Sequence, residues 1–150
     1  MGTITKTLYD ADFVEWTART AELLRAGRLD EADLEHAAEE IEDLGKSERS
    51  AVASQLHRML MHLIKQRILP ERDGASWRRS ITEGRAEISY RLDDSPSLRR
   101  YVHDNLQKIY ERAVNDALFE TGMAEKRRDL SLPAQCPYTL QDLLEADREF

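Results

Sequence analysis

Apolar and polar positions follow a helical period along most of this chain, and the longest uninterrupted example runs from Asp33 to Leu69. Leu34, Ala38, Ile41, Gly45, Val52, Met59 and Leu63 recur mostly three or four apart, which places them on one helical face. The stretch holds no proline and one glycine. At about 1.5 Å per residue an unbroken helix over it would span roughly 55 Å. The shorter segments must then pack along it as along a rod.

Before it, Phe13, Trp16, Thr20, Leu23 and Leu24 mark a first helix over 11–26, with Asp10 as N-cap and Gly27 as a left-handed C-terminal stop. Asp30 is expected to cap the central helix, with Leu29 and Leu34 as a hydrophobic staple. The short turn between the two predicts an antiparallel hairpin. Gly45-Lys46-Ser47 admits two readings: Gly45 ends one helix and Ser47 caps the next, or one helix runs through, bent or straight. The period continues without a slip, which favours the second. Pro70 closes the central helix. Trp77, Ile81, Gly84, Ile88 and Leu92 predict a third helix over 76–93, and Ser95-Pro96 is a start signal for a fourth over 96–121, closed by Gly122. Residues 123–137 lack a clean period and read as a loop. Thr139 is placed to cap a short last helix docking through Leu140, Leu143 and Leu144. No segment alternates with period two. The fold class is therefore all-α: a bundle of four main helices organised around one long central helix, plus a short C-terminal helix, in a single domain over 1–150.

Composition adds little to the fold and something to its context. No apolar run approaches the roughly 20 residues of a membrane helix, and residues 1–10 have no signal-peptide core. Cys136 is the only cysteine, so no intrachain disulfide can form and a cytoplasmic setting is expected. The net charge of −7 is uneven: −7 over residues 1–50, +4 over 51–100 and −4 over 101–150. Such stretches are ordinarily solvated helix faces, although a basic groove for an anion or a partner is the sharper reading.

Candidate chemistry is sparse. Glu48, Gln55 and His62, seven apart, interrupt the apolar stripe of the central helix and should face inward or toward its rim. They either hydrogen-bond across helices, to Trp77, Tyr110 or backbone, or line a polar pocket for a ligand or metal. No Glu-x-x-His or His-Glu-x-x-His spacing occurs, so no metal site and no cofactor is expected. Lys65, Arg67, Arg72, Arg78, Arg79 and Arg85 form a candidate basic patch, but Glu71, Asp73, Glu83 and Glu87 dilute it and argue against nucleic acid. Cys136, before Pro137 and near no histidine motif, reads as a small hydrophobe rather than a nucleophile. Phosphate-binding and hydrolase glycine motifs are absent.

Several segments together resemble a bacterial family, the domain of unknown function numbered twenty-nine. They are Y-D-A-D-F-V-E-W from Tyr9, E-E-I-E-D-L-G-K from Glu39, L-M-H-L-I-K from Leu60, P-E-R from Pro70, S-W-R-R-S-I from Ser76, S-P-S-L from Ser95, E-T-G from Glu120 and C-P-Y-T-L from Cys136. Gln66 stands where members often carry an aromatic after the lysine. The resemblance implies a small helical protein without an established activity and supplies no catalytic residues. The chain is therefore expected to be a protein-interaction or regulatory module rather than an enzyme, with another protein as partner. The alternative is an enzyme or a metal- or ligand-binding protein that uses the inward polar strip.

Overall fold

The computed structural model describes residues 8–145. Among these residues there is no strand; the chain is built of helices and short connections. Five α-helices are numbered here in chain order: α1 (Phe13–Arg25), α2 (Leu34–Ile68), α3 (Ala75–Asp94), α4 (Leu98–Glu120) and α5 (Leu140–Leu144). Single 3₁₀ turns follow α2 (Pro70–Arg72) and α4 (Ala124–Lys126), and residues 8–11 form a helical turn before α1. The chain divides into two compact units, Met1–Ser47 and Glu48–Phe150. Helix α2 runs unbroken across that division, through Gly45, so the glycine does not end it.

In the first unit the caps lie later than the sequence suggests. Asp12, not Asp10, caps α1: its side chain accepts from the Glu15 amide at 3.0 Å. Helix α1 ends in a left-handed Gly27 (φ 70°), where the Arg28 amide reaches back to the Leu23 carbonyl at 3.0 Å. That is the turn a side chain with a Cβ resists. Asp33, not Asp30, opens α2. Its carboxylate accepts from the His36 amide at 3.4 Å, and its carbonyl accepts the first helical hydrogen bond, from the Ala37 amide at 3.0 Å. With the start moved by three residues, Leu29 and Leu34 no longer hold staple positions, and both are exposed. The inward side of this unit consists of Trp16, Thr20 and Leu23 from α1 with Ala32, Asp33 and Ala37.

The second unit holds the larger core. Val52, Leu56, Met59 and Leu60 of α2 are fully buried against Ile88 and Leu92 of α3, Val102 and Ala113 of α4, and Leu143 of α5. Each such aliphatic side chain contributes about 1.5–3 kcal/mol by leaving water. Gly84 brings α3 close to α2: a Cβ there would stand 3.6 Å from the Met59 Cβ and 3.7 Å from the Gln55 carbonyl oxygen. Helix α4 begins at Leu98, two residues after Pro96, and no side chain caps it. The carbonyls of Ser95 and Pro96 accept from Leu98 and Arg99 instead. The connection from α4 to α5 is fastened at several points. Tyr110 Oη donates to the Pro133 carbonyl at 2.7 Å, the Gln107 amide bridges Ala134 and Cys136, and Arg85 Nε donates to the Leu143 carbonyl at 2.9 Å. Thr139 and Asp142 form a capping box at the start of α5.

Candidate interaction surface

The first unit builds a polar cluster around His36 and Glu40, which in sequence, with Glu39, read as a solvated acidic helix face. Capping α2 places the Asp33 carboxylate inside the unit, with the residue only 1% exposed. One turn on, the His36 ring donates from Nδ1 to Asp33 Oδ2 at 2.6 Å. Tyr9 lies flat on that imidazole, with ring centroids 3.9 Å apart and planes 9° from parallel, and its hydroxyl donates to Glu40 Oε1 at 2.6 Å. Trp16 meets Tyr9 edge-on at 4.9 Å and stacks on Phe13 at 5.6 Å. The Trp16 Nε1–H and the Thr20 hydroxyl are buried and make no well-formed hydrogen bond among the described residues. The indole nevertheless adds a weak pull on Asp33.

Charge follows from this geometry. Burial pushes the Asp33 carboxyl up, but the hydrogen bonds from the His36 ring and amide outweigh it and hold the group below the usual aspartate range. The same bond pushes the His36 imidazole above the usual histidine range. Donation to Glu40, with burial and the nearby acids, pushes the Tyr9 hydroxyl up to about 12. In sequence His36, Glu39 and Glu40 stand within one helical turn, but nothing local announces that Asp33 and Tyr9 close on that imidazole.

This unit exposes more large apolar side chains than the second unit does. Of nine exposed large hydrophobics among the described residues, seven belong to it: Phe13, Val14, Leu24, Leu29, Leu34, Ile41 and Leu44. Leu34, Ala38 and Ile41 lie on the apolar stripe of α2, and all three are exposed. Farther along the same helix, Val52, Leu56 and Met59 are fully buried. One periodic pattern therefore carries two kinds of surface. Acids surround the exposed part: residues 8–47 hold 12 acids against 4 bases, a net −8.

In the second unit the sequence candidates are dispersed. Glu48 is exposed and pairs with Arg91 at 2.7 Å, and Arg91 also holds Glu87 at 2.8 Å. Gln55 is half-buried beside Gly84. His62 is half-buried with its Nδ1 inaccessible and unpartnered, so the cross-helix hydrogen bond expected of it is not made at that atom. Its ring lies 6.3 Å from that of Trp77, and burial, with Lys65 and Arg58 nearby, pushes its imidazole below the usual range. The basic candidates do not act as a set. Lys65 is buried, pairs with Glu120 and stands 6.0 Å over the Trp77 ring. Arg78 holds Asp73 at 2.8 Å, Arg85 bonds backbone of α5, and Arg67 reaches the Ser131 carbonyl at 3.4 Å. Arg72 and Arg79 are exposed. Burial pushes the Cys136 thiol up, away from thiolate chemistry.

A His57–Asp116 pair, 2.7 Å from Nε2 to Oδ2, adjoins a pocket of about 150 Å³ lined by Ala53, Ser54, His57, Ile109 and Arg112. That volume is below the roughly 300–1,000 Å³ of small-molecule sites. The pair joins residues 59 apart, so no local pattern announced it. Among the described residues no three His, Cys, Asp or Glu side chains gather as metal ligands, and no helix is long and apolar enough to cross a membrane.

Fold and surface define a class: an all-helical protein with an acidic first unit that exposes large apolar side chains and a second unit that holds the larger core. Within that class the chain belongs to the family described as domain of unknown function DUF29, whose model matches residues 8–148, nearly the whole chain. No curated protein and no solved structure matches it.

Proposed function

We propose that this protein is an interaction module that docks another protein on the outer face of its acidic hairpin. The observation that carries the reading is the concentration of exposed large hydrophobics in residues 13–44. Isolated exposed leucines are ordinary, but a clustered set at helical spacing is what a docking face presents. Its inward side is rigidified by the Asp33–His36 bond and the Tyr9 stack, so the face is presented on a stiff frame. A cytoplasmic setting goes with this proposal, since Cys136 is a thiol. The alternative of an enzyme or metal site on Glu48, Gln55 and His62 has less support, because Glu48 is engaged by Arg91 and His62 sits apart from it beside Trp77.

The test is site-specific photo-crosslinking in the native cell, with the probe at Ile41 and, as a control, at exposed Arg99. The expected result is one discrete adduct from Ile41, diminished by Leu44→Glu in the same chain, and none from Arg99. Equal, diffuse labelling from both positions would overturn the reading.

A further inference from the structure

The exposed stripe has the spacing of a coiled-coil seam, and that spacing, with the surrounding charge, describes an occupant. Leu34, Ala38 and Ile41 follow each other by four and three residues, the alternation of core positions in a heptad. All three are exposed, and Leu44 borders them at 69% exposure. Ala38 has only a methyl group, so a second helix can approach closely between the two larger side chains. On one flank the heptad places Glu35 and Glu42, the positions that choose a partner by charge.

We infer that the hairpin receives a basic amphipathic helix of another protein, laid along Leu34, Ala38 and Ile41 with lysine or arginine beside Glu42. This rests on the interaction reading above and adds the chemistry of the partner. Charge decides against the most obvious rival, a second copy of the chain. An antiparallel pair of seams would oppose Glu42 to itself, and in either orientation two stretches of net −8 each over residues 8–47 would be brought together. Like charges at flanking positions oppose pairing, whereas a cationic helix meets attraction at the same places. A purely acidic surface would also attract any polycation. The apolar seam makes the difference, because it demands leucine-like side chains at heptad spacing on the partner.

The experiment uses the full chain and four fluorescent peptides read by anisotropy. Three share one apolar heptad with lysine, glutamine or glutamate at the flanking positions; the fourth has the lysine peptide's composition in scrambled order. The lysine heptad should bind one to one, about three- to tenfold tighter than the glutamine heptad, with the margin shrinking as salt rises. Scrambled and glutamate peptides should bind weakest. Ile41→Asp should abolish binding of both the lysine and glutamine heptads, and Glu42→Lys should erase the margin between them. Equal binding of lysine and glutamine heptads would overturn the basic partner while leaving the docking face intact. Equal binding of scrambled and ordered peptides would overturn the seam. If no peptide binds and sedimentation shows a dimer lost in Ile41→Asp, the occupant is a second copy and the inference fails. If no peptide binds and the chain sediments as a monomer, it fails as well. The crosslinking at Ile41 then judges the interaction reading by itself.

Discussion

A carboxylate withdrawn from water is costly unless donors replace its hydration. Asp33 is kept ionised by the His36 ring at 2.6 Å and the His36 amide at 3.4 Å. The sign of the pH dependence follows. His36 has a raised pKa in the folded chain, so its share of stability is full below the unfolded value of about 6.5 and fades as pH rises through the folded value. Asp33 has a lowered one, so its share is full above about 3.8 and fades as pH falls through the folded value. His62 opposes His36: its folded pKa is lowered, so acidification below about 6.5 works against the fold there. A proton-resonance titration should show His36 with the higher midpoint and His62 with the lower, and Asp33→Asn should bring His36 down. Equal midpoints would contradict the geometry. Spectrophotometric titration should likewise find a tyrosine ionising at about 12 that shifts down in Glu40→Gln, marking it as Tyr9. Little of this could be read from the residues alone. Asp30 and Asp33 satisfy the same cap grammar, and it is Asp33 that accepts from the His36 amide and ring. Nor did the inward placement of His62 disclose that Nδ1 would lack a partner.

Elements were far more legible than sites, because proline, glycine and the apolar period act locally. The expected spans of 11–26, 31–69, 76–93 and 96–121 became Phe13–Arg25, Leu34–Ile68, Ala75–Asp94 and Leu98–Glu120. The Gly27 and Gly122 stops both adopt positive φ, at 70° and 69°. Ser95-Pro96 misled by two residues, since the proline turn precedes the helix rather than opening it. The small residue at Gly84, expected on a buried face, does meet α2. A methyl group there would make ordinary contact with Met59 at 3.6 Å, while the helix loses a flexible glycine. Gly84→Ala should therefore stabilise by about 0.5–1 kcal/mol, and Gly84→Leu should destabilise by about 1–3 kcal/mol through overpacking. Urea unfolding of the two variants checks both signs. At α5, Thr139→Ala removes the reciprocal cap and should cost about 1 kcal/mol, seen in the same measurement.

For the whole molecule, the uninterrupted pattern on α2 concealed a division. Hydrophobic period reports which side of a helix is apolar, not what covers it, so Ile41 and Val52 looked alike in sequence. One is 66% exposed and the other fully buried. Thermal unfolding should separate them. Ile41→Glu should change stability by no more than about 0.5 kcal/mol, as a surface change does. Val52→Glu places an unpaired charge in the core and should cost more than about 3 kcal/mol. The uneven charge was visible from the outset, but its meaning required knowing that the acids and the exposed apolar side chains share residues 8–47. The basic candidates, by contrast, became structural once Lys65, Arg78 and Arg85 were seen to hold Glu120, Asp73 and the Leu143 carbonyl.

The chain has two tryptophans, Trp16 and Trp77, and the division at Ser47 assigns one to each compact unit. Nature has thereby given each unit its own lamp. Trp16 is 3% exposed and should emit at shorter wavelength; Trp77 is half-buried and should emit further to the red. Protonated imidazole is the stronger quencher of indole, so acidification through the lowered range of His62, beside Trp77, should dim the redder emission. Single replacements, Trp16→Phe and Trp77→Phe, would leave one lamp lit at a time. Their melting curves would then show whether the two halves of one continuous helix let go together or in turn.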